Sequence, residues 1–435
     1  MNISVIGAGL AGCEAAHRLA RRGFAVTLYE MKPHKRSPAH QMDTLAELVC
    51  SNSLKAARVN SAGGLLKAEM RLFGSLLLDV AERCAVPAGG ALAVDRNDFS
   101  RMVTEQIERN PDIELMRGEV TGFPEGPAVI ATGPLTSPAL SEAISQKLGK
   151  RYLSFYDAAA PILTAESIDR SIVFSAARYG RGGDDYMNCP MTREQYERFY
   201  RALIAGERAP LKAFEHEEMR VYEGCMPVEV LAARGEDALR FGPLKPVGLS
   251  DPVSGKRPWA VVQLRQENTA ATLYNLVGFQ TNLKFGEQKR IFSLIPGLEN
   301  AEFVRYGVMH RNTFLDSPRL LDNTFALRTD PTICFAGQIT GVEGYMESAA
   351  SGILAAEHLA RRLRGEPPLT LPGETMLGAL SGHISDQNVS DFQPMGANIG
   401  LLPGLEIKIK DKQERYQVIA ERSLAALKRA LDEYN

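Results

Sequence analysis

No apolar run in this sequence reaches the roughly 20 residues that a bilayer-spanning helix requires, because each is interrupted early by a charge, a Gly or a Pro. No membrane partner is expected. The opening residues, MNISVIGAGLAG, carry neither the basic segment nor the small-residue cleavage site of an export signal, so a cytoplasmic protein is the expectation. Cysteine is sparse: Cys13, Cys50, Cys84, Cys189, Cys225 and Cys334 lie far apart, with no C-x-x-C pair and no histidine at ligand spacing. That pattern argues against a zinc site or a disulfide framework, so no metal is expected. Neither sign of charge is in excess, since 50 Lys+Arg stand against 52 Asp+Glu for a formal net charge of −2. A nucleic acid would have to be held by local basic patches rather than by a global positive field. Internal repeats and low-complexity segments are absent as well, and 45% of the 435 residues are hydrophobic. The length suggests about two or three domains with sizeable cores.

What the chain does contain begins at its start. Ile3 to Ile6 reads as a short strand, residues from Leu10 to about Arg22 as a helix closed by Gly23, and FAVTLYE as a second strand ending in Glu30. Between strand and helix, Gly7-Ala8-Gly9-Leu10-Ala11-Gly12 forms a G-x-G-x-x-G turn. Gly7 allows the tight turn, Gly9 lets a pyrophosphate approach the backbone, and Gly12 lets helix and strand pack closely. The helix N-terminus offers amides and a positive dipole end to phosphate, and Glu30 can accept ribose hydroxyls. The ligand of such a unit can be NAD, FAD or S-adenosylmethionine.

Two later segments narrow that choice. PAVIATGP ends a buried strand at Thr132 and Gly133, and TICFAG ends another at Gly337, leading through QITGVEGYMES into a helix from about Met346 to Arg364. These features resemble the two-dinucleotide-binding flavoproteins, although Gln338 stands where many of them have an Asp. The resemblance implies FAD contacts from Gly7 to Gly12, Glu30, Thr132, Gly133, Gly337, Gln338, Gly344 and Tyr345. The small residues Ser348 to Gly352 would let a flat ring approach the late helix, whose dipole stabilises a reduced flavin; the alternative is a helix packed tightly on its neighbour. The expected fold is α/β, a Rossmann-type two-dinucleotide-binding FAD domain from residues 1–155 and 325–435 with an inserted α/β domain over 156–324. No second G-x-G-x-x-G is present, so a nicotinamide coenzyme would bind transiently.

AELVCSNSLK, VPAGGALAVDR, YDAAAPI, YEGCMPVEV, FGPLKPVGL, VVQLRQEN, YNLVGFQTNLK, YGVMHRNTF and FAGQITGVEGYMESAASG together resemble the folate- and FAD-dependent tRNA (uracil-5-)-methyltransferases over nearly the whole chain. The resemblance implies C5 methylation of a T-loop uridine, position 54, in tRNA, with 5,10-methylenetetrahydrofolate as carbon donor, FAD as carrier and reductant, and NAD(P)H as hydride source. The wobble-uridine modification flavoproteins share the turn and the late G-Q-x-x-G-x-x-G-Y stretch. Rival readings are modification of another RNA uridine, a flavin hydroxylase or oxidase of small molecules, and a non-catalytic FAD-bound RNA-binding protein.

Uracil C5 becomes nucleophilic once a thiolate adds at C6, so a reactive cysteine in a positive setting is required. Cys225 precedes Met226-Pro227, with Pro227 expected as the first residue of a helix through VEVLAAR, and Cys50 precedes Ser51-Asn52-Ser53, which reads as a capping cluster near a helix start. The resemblance places both in the active site, Cys225 as C6 nucleophile and Cys50 as the proton-handling group, or the reverse. It also places His310 and Arg311 against the pterin. Cys84, at the end of one apolar helix, and Cys13 and Cys334 read as structural, while Cys189 is left open. Candidate RNA patches are Lys32 to Arg36, Lys256-Arg257 with Trp259, and Lys408, Lys410 and Lys412; each also reads as a solvated face.

Overall fold

The computed structural model describes residues 1–37, 39–149, 152–158, 160–180, 183–209, 226–252, 255–307, 309–389 and 392–433, and for 152–158 and 309–312 it describes the backbone alone. Strand β1 (Asn2–Ile6), helix α1 (Leu10–Arg21) and strand β2 (Ala25–Glu30) form the opening β-α-β unit. β1 is the middle of a five-stranded parallel sheet. β2 and then Ile113–Arg117 lie to one side, Ala128–Ile130 and then Ile333–Phe335 to the other. Apolar side chains without alternation, Ala128, Val129 and Ile130 or Ile333, Cys334 and Phe335, mark strands covered on both faces.

The late helix, Tyr345–Leu363, packs along α1. A Cβ on Gly352 would stand 2.2 Å from the Ala11 carbonyl oxygen, so the small residues of that turn let two helix backbones meet. Arg18 of α1 pairs with Glu357 of the late helix at 2.7 Å. Between the ends of the chain, residues 162–305 supply a six-stranded sheet in the order Phe174–Ser175, Tyr186–Met191, Ala260–Gln266, Leu273–Leu276, Ile162–Thr164, Phe303–Arg305, antiparallel throughout. Its core, from Leu163 to Ala301, is separate from the core around the parallel sheet, which already includes Phe314, Leu315, Leu320 and Leu321. The strands Tyr152–Ala158 and Met309–Leu315, where the chain passes between the two regions, pair antiparallel with each other.

Two local expectations are corrected. The apolar stretch ending at Cys84 is two helices, Ala62–Leu72 and Leu76–Arg83. Gly74 turns the chain at φ +70°, and Ser75 caps the second helix at Leu78 N. Ser51-Asn52-Ser53 opens no helix: Ser53–Ala56 is a strand paired with Ala91–Val94, and the Asn52 side chain bonds distant backbone instead. Among the described residues no helix is long and apolar enough to cross a membrane, and no group of three or more His, Cys, Asp or Glu is placed to hold a metal ion.

Candidate active site

A long open cavity lies at the C-terminal ends of the parallel strands. Gly7, Ala8, Gly9, Leu10, Ala11, Glu30, Thr132, Gly133, Gly337, Gln338 and Tyr345 all line it, joined by His40, Glu47, Val49 and Ser348. Gly12 and Gly344 stand outside this lining. Gly7 adopts φ +95°, and a Cβ there would meet the Ala131 carbonyl oxygen at 2.8 Å; a Cβ on Gly12 would lie 1.7 Å from the Gly7 oxygen. Both glycines are therefore demanded by the turn itself. Gly9 caps the N-terminus of α1, and a Cβ there meets nothing within 4 Å, which leaves the amides of the first helical turn open to an anion. Glu30 is buried at the end of β2, accepting from the amides of Ala8 at 3.1 Å and Lys32 at 3.0 Å. An open glycine cradle at a helix N-terminus, an acid at the second strand end and room for a long ligand fit a dinucleotide such as FAD. At the far end, Gln338 donates to the Glu343 carboxylate at 2.6 Å. Of the small residues in the late helix, Ser348 reaches the cavity, whereas Gly352 packs on α1.

Tyr345 joins this cavity to a thiol. Its hydroxyl oxygen accepts from the amides of Cys50 at 2.8 Å and Ser51 at 3.2 Å, and it lies 3.1 Å from Cys50 Sγ. With both lone pairs taken by amides, the phenol has only its O–H left, and that proton points at the sulfur. Burial, with the charge of Cys50 next, pushes the Tyr345 hydroxyl well above the usual tyrosine value, so the proton stays on oxygen. Two guanidiniums lie near this sulfur: burial lowers both Arg265 and Arg305, and the charge of Cys50 is among the groups that oppose it in each. Arg265 donates from Nε to Asn52 Oδ1 at 2.9 Å and from Nη2 to Ser51 Oγ at 2.7 Å, while Arg305 bonds the Val49 carbonyl. Arg96, bonded to Leu48 O at 2.7 Å and paired with Glu267, completes the cluster. A hydroxyl donor and nearby cations favour a thiolate.

The other cysteines fall into two groups. Cys13, Cys84, Cys189 and Cys334 are buried. Burial pushes the thiols of Cys84 and Cys334 up to about 12 and those of Cys13 and Cys189 higher still, so none of the four is a ready nucleophile. Cys189, left open by the sequence, sits on a strand of the second core. Cys225 lies outside the described residues. Beyond it, Pro227 is the N-cap of a helix of only five residues, Val228–Ala232, rather than its first residue. His310 and Arg311 pair in register with Asp157 and Tyr156, and their side chains lie outside the described residues.

The basic stretches also separate. Lys32 is buried with its ammonium 2.6 Å from Thr44 O and 3.4 Å from Glu47, Lys35 meets Glu119 at 2.7 Å, and Arg36 pairs with Asp43, so this patch is neutralised. Trp259 is covered by the guanidiniums of Arg240 at 3.7 Å and Arg193 at 5.2 Å. Lys408, Lys410 and Lys412 are exposed. Sequence reasoning missed Arg96, Arg265 and Arg305. One signal was available, for Arg265 is the only cation in the strand Ala260–Gln266, whose other inner positions are apolar or amide.

The family model for "Glucose inhibited division protein A" matches residues 2–367. Among curated proteins, the chain is 57% identical over 434 residues to the "Methylenetetrahydrofolate--tRNA-(uracil-5-)-methyltransferase TrmFO" of Acetivibrio thermocellus, covering 100% of this chain and 99% of that one. The protein of the same name from Pelotomaculum thermopropionicum is 59% identical over 428 residues, 98% of each chain. Among solved structures, GidA of Aquifex aeolicus superposes with a TM-score of 0.71 at 16% identity, covering 99% of this chain and 73% of that one, which shows a shared fold. Matched end to end at such identity, the chain belongs to the TrmFO family of methylenetetrahydrofolate--tRNA-(uracil-5-)-methyltransferases.

Proposed function

We infer that this protein is an FAD enzyme that transfers a one-carbon unit from 5,10-methylenetetrahydrofolate to C5 of a uridine in tRNA, at position 54 of the T loop, and reduces it to a methyl group with electrons from NAD(P)H. The observation that carries the reading is Tyr345, which lines the dinucleotide cavity and holds the Cys50 sulfur at 3.1 Å. A small-molecule oxidase has no use for a thiol there. Bound FAD would supply one-carbon transfer and hydride chemistry, cradled by Gly7, Gly9, Glu30, Thr132, Gly133, Gly337 and Gln338.

The chain's own residues do the rest. Cys225 supplies the thiolate that adds to C6 and charges the ring. Cys50 takes the C5 proton once the new carbon is in place, a task that requires an anionic sulfur and is prepared by Tyr345, Arg265 and Arg305. Restored aromaticity then expels Cys225. His310 and Arg311 hold the folate. Residues 1–155 and 325–435 form the flavin-binding part and 156–324 an inserted part that helps to hold the substrate, and the reaction takes place in the cytoplasm, where unmodified tRNA is available.

Undermodified tRNA is incubated with the FAD-loaded enzyme, labelled methylenetetrahydrofolate and NADPH, and the label is mapped by mass. Label on a T-loop uridine is expected; label on a wobble base, or on no uridine, overturns the reading. RNA carrying 5-fluorouracil should form a covalent adduct that Cys225→Ala abolishes.

A further inference from the structure

Some exposed cations of this molecule are neutralised in place, as Lys35 is by Glu119 and Lys284 by Glu207. Arg58, Lys408, Lys410 and Lys412 differ: all four are exposed, and none has a carboxylate partner among the described residues. Two of them, Arg58 and Lys412, stand where the N-terminal ends of helices Ala62–Leu72 and Lys412–Asp432 border one groove. Arg58 and Lys412 line it, with Asn60, Asn398, Gln413 and the half-buried Tyr416. The Tyr416 ring is flanked by the Lys412 ammonium at 5.3 Å and the Arg415 guanidinium at 5.6 Å. Of the nearby acids Glu406, Asp411 and Glu414, Asp411 is engaged as the cap of the terminal helix, accepting from Glu414 N at 2.8 Å.

The groove is tied to the thiol through one helical turn. Ala397, on its wall, donates its amide to Glu347 Oε1 at 2.8 Å, and the same oxygen receives Lys55 Nζ at 2.6 Å. Glu347 is two residues past Tyr345, whose hydroxyl bonds Cys50. Glu347 thus links the wall of the groove to the helix that carries Tyr345.

We propose that this groove receives the sugar–phosphate backbone of the tRNA beside the target uridine, which rests on the methyltransferase reading above. Unpaired cations neutralise phosphates, amides reach ribose hydroxyls and phosphate oxygens, and an aromatic ring between cations stacks a base freed from its helix. The Arg58 and Lys412 contacts carry affinity, whereas Tyr416 positions the strand.

The test uses the FAD-loaded full chain, wild type against Arg58→Ala/Lys412→Ala and against Tyr416→Ala, with an unmodified tRNA transcript titrated at several salt concentrations without turnover. The double variant is expected to weaken tRNA binding about tenfold and to flatten the slope of log Kd against log salt by about 1 to 2. KM for tRNA rises with it, while flavin content, KM for NADPH and Cys50 alkylation stay at wild-type values. Should the double variant fold poorly, Lys412→Gln on the exposed surface is expected to weaken binding about threefold. Wild-type affinity and salt slope in the folded variants overturn the proposal, as does a rise confined to the KM for NADPH, which would make the groove a coenzyme site. A wild-type enzyme that binds tRNA through these residues but methylates no uridine would instead refute the methyltransferase reading alone.

Discussion

A methyl group on Gly12 would stand 1.7 Å from the Gly7 carbonyl oxygen, whereas one on Gly9 would meet nothing within 4 Å. Two glycines of one motif therefore fail in different ways. Gly12→Ala must move the backbone and is expected to destabilise the flavin-free protein by about 3 kcal/mol in urea unfolding. Gly9→Val is expected to change that stability by under about 1 kcal/mol, yet to purify colourless, because its side chain fills the space where a pyrophosphate would approach. A yellow Gly9→Val protein with full flavin refutes the cradle. The Cys50 sulfur is governed by charge rather than by space. Replacing Arg305 with Gln removes a cation that favours the thiolate, so the midpoint of Cys50 alkylation against pH should rise by about one unit. Flavin content serves as the control. A midpoint that does not move means that Arg305 serves only to hold Val49.

Among the elements, two helices begin on buried carboxylates. Glu14 accepts from the amides of Leu76 and Leu77 and from Ser75 Oγ; Glu69 accepts from the amides of Met376 and Leu377 and from Ser423 Oγ. Burial outweighs these hydrogen bonds and raises both to about 7 from an ordinary 4.5. Folding then favours the protonated form, so each group's contribution is full below its unfolded value and is lost as pH rises to about 7. Flavin-saturated protein should lose stability between pH 4.5 and about 7, and Glu14→Gln should remove about 3 kcal/mol of that dependence. An unchanged pH profile in Glu14→Gln would show that Glu14 is ionised throughout. Both caps were invisible in the sequence, since Glu14 lies inside α1 and its helix starts 62 residues later. The β1-α1-β2 unit was legible because its apolar period, its glycines and its terminal acid are local. The break at Gly74-Ser75 was equally local and was read through as one helix. Ser51-Asn52-Ser53 carries a cap signal that partners 213 and 214 residues away override.

On the scale of the whole molecule, the two cores meet across polar groups around Asn52. Its amide nitrogen donates to Val94 O at 3.0 Å and Gln266 O at 2.9 Å, and its oxygen accepts from Arg265 at 2.9 Å and Asn275 at 3.4 Å. Asp95 adds a bond to Thr269 N, and Asp185 reaches Gly89 N across the same junction. No sequence pattern announces such a hub, because its members come from segments that only the fold brings together. Asn52 is fully buried, so Asn52→Ala would strand the Arg265 Nε donor and two carbonyls away from water. The loss is expected to be about 2 to 4 kcal/mol, felt where the two cores meet rather than within either. Hydrogen exchange in the variant should therefore quicken in the strand Ala260–Gln266 and around Cys50, while β1, α1 and β2 keep their protection and flavin stays bound. Methylation should fall with Cys50 reactivity, since the sulfur loses the guanidinium that Asn52 orients. Uniformly faster exchange across both cores, or an unaltered rate of Cys50 alkylation, would show that Asn52 stabilises the fold at large and does not set the geometry of the thiol.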